Sequence, residues 1–394
     1  MKTDSEQGPA AQGSVDPQAD QPITVAGAGP SGLMCAITLA RAGRRVVLRE
    51  WHNDVGARFH DDFQGLENWS ARQDVLEELT IAGIAADFEY HPVSQGHVLD
   101  TRANCHTVTG NRPLFYMLRR GSKPGTLDRA LLEQARAAGV EVRFNDRVKK
   151  AAGAMVLATG PRRADIIAVG RIFDTDMEDG AWLALGENLA PGGYAYLLVH
   201  GGRGTVATCL FTGFHDQARY LDATLAFFQR HAGLSMRNPR PFGGYGNVRL
   251  PRTAMQGGHP VIGEQAGFQD ALAGFGLRYA MRSGRLAAES LINGTDYTRL
   301  WRRQLQPTLR TGVVNRFLFN LTGPRGVDRL IRGLGRADAG PALGRSYRSS
   351  VFKLLLSPLA RYRYRAPLRD PSCAHQNCGC VWCQHGLEDG HDTT

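Results

Sequence analysis

The chain has 394 residues, of which 42 % are hydrophobic and 21 % charged, and 47 are glycine; this is ample for one large α/β unit or two to three lobes around a sizeable core. No apolar run approaches the ~20 residues that span a bilayer as a helix, which excludes a transmembrane helix. The net charge of +10 is local: Arg299 to Arg369 holds 16 Lys+Arg against 2 Asp+Glu, and the rest of the chain 31 against 35. The basic character therefore predicts an anionic surface beside one segment, and without a recognition module it argues against nucleic acid. At the N-terminus, residues 1–20 have no apolar h-region, so they read as a disordered leader and not a secretory signal. The expected compartment is the cytoplasm.

Pro22 to Glu50 reads PITVAGAGPSGLMCAITLARAGRRVVLRE. An apolar run predicts a buried parallel strand. The loop Gly27-Ala28-Gly29-Pro30-Ser31-Gly32 opens a helix that closes at Gly43, and a second strand ends at Glu50. In this order each residue has a task. Gly27 makes the tight turn, Gly29 lets backbone meet a pyrophosphate, and Gly32 lets helix pack on strand. The helix N-terminus offers free N–H groups to phosphate, and Glu50 can accept from a ribose hydroxyl. The segment predicts dinucleotide binding.

Asp61–Ser70 reads as a loop and Asp74–Ile84 as an amphipathic helix with Val75, Leu76 and Leu79 inward. Arg58 reads as a solvated arginine, the alternative being one that reaches the dinucleotide phosphates, and His91, His97 and His106 read as ordinary loop or strand residues. Val261–Gly284 carries glycine at 263, 267, 274, 276 and 284 before a helix beginning at Gly276-Leu277, whose Ala280, Gly284, Ala287 and Ala288 form a small face suited to tight packing on a sheet. Its bare N-terminus is suited to a flat or anionic ligand.

This last stretch resembles the second FAD motif of the geranylgeranyl reductase family, within the p-hydroxybenzoate-hydroxylase-like flavoprotein class. Gly263, Ala266, Gly267, Gly274, Gly276, Ala280, Ser283 and Gly284 match its pattern; Glu264 stands for the family's Asp and Ala271 for its Pro. The helix with Asp128 and Leu131, the preceding Arg119 or Arg120, the strand and loop Val156–Pro161, and the hairpin Pro191–Phe211 fit the same family. The resemblance spans roughly Pro22 to Ile292. It implies an α/β fold: a Rossmann-like FAD-binding lobe (21–60, 111–165 and 255–296) interleaved with a β-rich substrate lobe (61–110 and 166–254), followed by C-terminal helices. It implies FAD contacts from Gly27, Ala28, Gly29, Pro30, Ser31, Gly32, Glu50, Arg120 and Val148. Ala158, Thr159, Gly160, Gly263, Glu264, Gly274, Gly276 and Leu277 complete that set. The segment between Val148 and Ala151 is too short for the β-meander usual in this class.

The resemblance implies reduction of carbon–carbon double bonds in a hydrophobic, isoprenoid or lipid-like substrate. Tyr194, Tyr196 and His200, on the hairpin, are the candidates for proton donor. Two alternatives remain open: an FAD-dependent aromatic monooxygenase, weakened because Thr159 replaces the Asp of the hydroxylase GADG motif, and an electron-transfer flavoprotein serving a quinone or partner protein. The electron donor would be NAD(P)H or a ferredoxin-like protein.

Residues 297–370 form a basic helical segment, with Leu, Phe and Val between arginines and breaks at Pro307, Gly323 and Pro358. It reads either as amphipathic helices lying peripherally on the inner face of a membrane or as helices capping the flavin lobe with a basic outer face. Residues 371–394 form a Cys-rich tail in which Cys373, Cys378, Cys380 and Cys383 have the density of a zinc site or an iron–sulfur cluster; the alternative is an unstructured or redox-active tail.

Overall fold

The computed structural model describes residues 21–148, 153–161, 164–248, 250–336, 338–364 and 379–381. β1 (Ile23–Ala26) is buried at every position, and α1 (Pro30–Arg41) leads to β2 (Val46–Arg49), parallel to β1. Pro30 occupies the first turn of α1, where a missing N–H costs nothing. β3 (Phe63–Glu67), α2 (Val75–Ile81), β4 (Tyr90–Val93), β5 (Gln95–Leu99), β6 (Cys105–Thr109) and β7 (Phe115–Arg119) follow. α3 (Leu127–Ala137), capped by the Thr126 hydroxyl, leads to β8 (Glu141–Arg143) and β9 (Met155–Leu157). The strands β8-β2-β1-β9 make a parallel sheet, and β3-β7-β4 a small antiparallel one. No strand is found between β8 and β9 among the described residues.

The second half is dominated by β10 (Ile166–Asp174), β11 (Gly180–Ala184), β12 (Tyr194–His200), β13 (Arg203–Leu210), α4 (Gln217–Ala232) and β14 (Arg237–Gly246). With β5 and β6 these strands form a seven-stranded sheet in the order β14-β10-β13-β12-β11-β5-β6. Strand alternation divides β12. Ala195, Leu197 and Val199 enter the core that α4 covers, while Tyr194 and Tyr196 belong to the opposite side, against the C-terminal helices.

α5 (Leu277–Asn293) packs chiefly on α1, and not on a sheet as its small face suggested. A Cβ on Gly284 would collide with Ser31 O, and one on Gly32 with Gly27 O. The glycines thus let two helices and the strand–helix turn approach at backbone distance. The opposite face of α5 is not free: Arg278 and Arg282 both bind Glu78 of α2. α6 (Tyr297–Gln304), α7 (Gln306–Leu334), α8 (Ala339–Ser346) and α9 (Val351–Arg363) complete the chain. Pro307 starts α7, Gly323 (φ 64°) kinks it, and Pro358 lies inside α9 without ending it. Among the described residues no helix is long and apolar enough to cross a membrane.

Candidate active site

One cavity of about 920 Å³ runs from the α1 loop to the apolar face of the large sheet. At the first end Gly27 has φ 109°, and a Cβ there would strike Ala158 O. Gly29 is the N-cap of α1 with no side-chain cap, and a Cβ at Gly29 would meet nothing within 4 Å. Uncapped N–H groups and open space at the same point are what an anionic group needs. Ala28, Pro30, Ser31 and Glu50 also line this end, and Glu50 accepts from Ala28 N at 2.7 Å. Gly32 and Gly263 lie behind the wall and shape it: a Cβ on Gly263 would collide with the Ser31 hydroxyl.

Arg119 and Arg120 part company because successive strand-end residues point oppositely. Arg119 turns away to Asp61 and Glu89. Arg120 lines the cavity, stacked 3.9 Å from the Phe59 ring centroid, and Asp128 holds it through two bonds of 2.7 and 2.8 Å. Both partners are buried. Val148, Ala158, Thr159 and Gly160 line the adjacent wall. Thr159 donates to Gln265 through N and Oγ1, tying β9 to the 263–266 turn.

Beyond it lies the glycine-rich loop. Glu264, Gly274, Gly276 and Leu277 all line the cavity. Gly276, the N-cap of α5, has no side-chain cap, and Gly274 has φ 73°. Arg58 is only partly solvated and lines the cavity: it donates to Tyr245 O at 2.7 Å, lies 4.8 Å from that ring's centroid, and reaches Glu264 at 3.3 Å. Burial pushes the Glu264 carboxyl up, and Arg58 opposes that shift.

The far end is apolar. Phe115, Phe275, Leu198, Ile331 and Leu334 line it, with Tyr194 and Tyr196 from β12. Burial raises both phenols well above the ordinary tyrosine range. Tyr194 donates to Ala273 O. Tyr196 lines the cavity beside it, packed among apolar residues. His200 does not line it: six residues of strand carry it about 20 Å from Tyr194, where its Nδ1 meets Asp179 at 2.6 Å and its ring stacks on His91. The structure thus brings the two tyrosines together with the loop and leaves His200 outside.

Of the tail cysteines, Cys373, Cys378 and Cys383 lie outside the described residues, as does the leader. Cys380 is buried with Val381 in the core beneath α4. The Gln217 amide binds Gly379 O at 2.9 Å and Val381 N at 3.0 Å, fixing this short segment as a neighbouring strand would. No group of three or more His, Cys, Asp or Glu able to hold a metal occurs among the described residues.

Residues 25–120 match the family model for an NAD(P)-binding Rossmann-like domain. A search of curated proteins finds no match. Among solved structures, the chain resembles a geranylgeranyl bacteriochlorophyll reductase-like protein from Thermoplasma acidophilum (TM-score 0.66, 16 % identity, covering 87 % of this chain and 96 % of that one). It also resembles p-nitrophenol 4-monooxygenase from Pseudomonas putida (TM-score 0.57, 14 % identity, 86 % and 98 % covered) and the flavin-dependent brominase Bmp2 (TM-score 0.55, 16 % identity, 82 % and 97 % covered). At such identities the likeness is one of fold. The chain is thus a Rossmann-like α/β protein whose fold is shared by reductase-like, monooxygenase and halogenase flavoproteins.

Proposed function

We propose that the protein is an FAD-dependent oxidoreductase that reduces carbon–carbon double bonds in a hydrophobic, isoprenoid or lipid-like substrate. The observation that carries this reading is one continuous cavity that joins an uncapped, glycine-lined phosphate cradle to a chamber walled by aromatic and aliphatic side chains. A dinucleotide with a flat redox ring fits that run. Gly27, Gly29 and the α1 N-terminus would hold its pyrophosphate, Glu50 its ribose, and the loop from Gly274 to Leu277 its ring. When bound, FAD supplies a hydride to one alkene carbon, with the electrons coming from a diffusible donor such as NAD(P)H or a ferredoxin-like protein.

The chain's own residues supply the rest. The apolar wall orients the alkene and keeps water away. Tyr196, which faces the chamber, would deliver a proton to the second carbon, while Tyr194 donates to Ala273 O and positions the loop. Thr159, engaged with Gln265, leaves no carboxylate at the position where hydroxylases carry one.

The test is anaerobic mixing of the dithionite-reduced, FAD-loaded protein with geranylgeraniol. Flavin reoxidation matched by loss of alkene supports a reductase. Reoxidation only on admitting oxygen, with a hydroxylated product from a phenol, selects a monooxygenase, and reoxidation by a quinone alone selects electron transfer.

The substrate chemistry also gives α9 a role. Val351, Leu355, Leu359 and Tyr362 form a stripe at i, i+4, i+8 and i+11, each at least half exposed, beside Lys353, Arg361 and Arg363. Such a stripe suits the surface of an anionic bilayer from which a lipid-like substrate would come.

A further inference from the structure

Four arginines are buried in the described chain, and three of them have carboxylate partners: Arg119 with Asp61 and Glu89, Arg120 with Asp128, Arg278 with Glu78. The fourth, Arg316 on α7, is 3 % exposed and lines the apolar part of the cavity. Its guanidinium lies 3.3 Å from the centroid of the Phe211 ring and 5.8 Å from that of Phe319. No ion pair or hydrogen bond joins it to any described residue, and Nη2 is a buried donor without an acceptor. Asp270, against the same helix at Gly312, accepts from Tyr347 at 2.8 Å and from Ala273 N at 2.7 Å, both through Oδ2; its charge acts on Arg316 at a distance, but the two make no ion pair and Asp270 Oδ1 is left without a donor.

Burying a cation without a partner is costly, and an anion brought beside it would recover part of that cost. Burial lowers the guanidinium only to about 10, so it remains charged near neutrality. An aromatic face holds its plane but cannot replace an anion's hydrogen bonds. Aliphatic Ile331 and Leu334 continue the wall beyond it, and Leu330, 58 % exposed, carries the wall to the protein surface.

Resting on the reading of the cavity as a chamber for an apolar substrate, we propose that Arg316 is the counter-ion for an acidic group on that substrate. The ligand class is an amphiphile with a carboxylate or phosphate head and a hydrocarbon body. Arg316 positions this molecule by its head and leaves the body free to reach the redox end.

The test titrates hexadecanoate, hexadecyl phosphate and hexadecanol into the FAD-loaded protein and follows the flavin difference spectrum. The expected result is that at least one acid binds about tenfold or more tightly than the alcohol, the gain of a hydrogen bond to a charged group. The better acid shows whether the head is a carboxylate or a phosphate. Arg316→Gln should erase the preference while keeping bound flavin and alcohol affinity, and Arg316→Lys should retain part of it. Equal binding of acids and alcohol by the unaltered protein would overturn the proposal while leaving the apolar chamber standing, and needs no variant that folds. A preference that survives in Arg316→Gln would likewise overturn it. Binding of none of the three would remove the apolar-chamber reading, and the proposal with it.

Discussion

The two ends of the cavity are made in opposite ways. At the dinucleotide end the decisive feature is missing side chain: Gly27, Gly32 and Gly284 each sit where a Cβ would strike a carbonyl oxygen. At the far end the wall is side chain, with Phe115, Phe275, Tyr196 and Leu334 supplied by a strand, a loop, a second strand and a helix remote from one another in sequence. A backbone cradle tolerates almost no change because its partners are main chain. A side-chain wall can be repacked, and so can change its ligand while the fold persists. Relatives that share a fold at 14–16 % identity yet carry reductase-like, monooxygenase and brominase names are consistent with that asymmetry.

The comparison predicts graded damage. Asp128→Ala should do most harm, because it leaves Arg120 buried and unpaired; a loss of about 3–5 kcal/mol in urea-monitored stability is expected. An unchanged midpoint would mean that Arg120 escapes to solvent. Gly27→Ala should cost about 2–3 kcal/mol, from its positive φ and the clash with Ala158. Gly29→Ala has room and an ordinary φ of −75°, so the apoprotein should melt as before while FAD affinity falls. Equal melting of the two apoproteins would break the distinction between a structural and a ligand-facing glycine.

At the other end the changes should spare the fold. Tyr196→Phe should lower kcat about 100-fold, the usual worth of a general acid, with full flavin content; unchanged kcat would assign the proton to water. Tyr194→Phe should instead cost about 1 kcal/mol of stability through the lost bond to Ala273. Smallest of all, Leu355→Glu on the exposed α9 stripe should abolish co-sedimentation with phosphatidylglycerol vesicles and leave melting and the turnover of soluble substrates unchanged. Failure of the unaltered protein to sediment would remove the lipid-surface role.

The same asymmetry explains what could be read from sequence. β1, its loop, α1, β2 and Glu50 are contiguous, and hydrophobic periodicity with glycine spacing is a local signal. The start of α5 at Leu277 was legible for the same reason. Partners were not. The small face of α5 announced close packing, but only the closed chain shows that the neighbour is α1. Arg58 looked solvated because Tyr245 and Glu264 are far away in sequence. Arg316 sits in a segment whose arginines mostly face water, and nothing in the pattern singles it out. His200 shares the parity of Tyr194 and Tyr196, so alternation put it on the right face, but strand length carries it past the cavity. The Gln217 clamp on residues 379–381 joins positions more than 160 apart and has no sequence signature.

The most direct test of the central claim is the absorption spectrum of the protein purified without oxygen. The account predicts the two visible bands of oxidised flavin, at one FAD per chain, bleaching on reduction with dithionite. A colourless protein that takes up no FAD on titration would contradict it, and the glycines around the cavity would then serve packing alone.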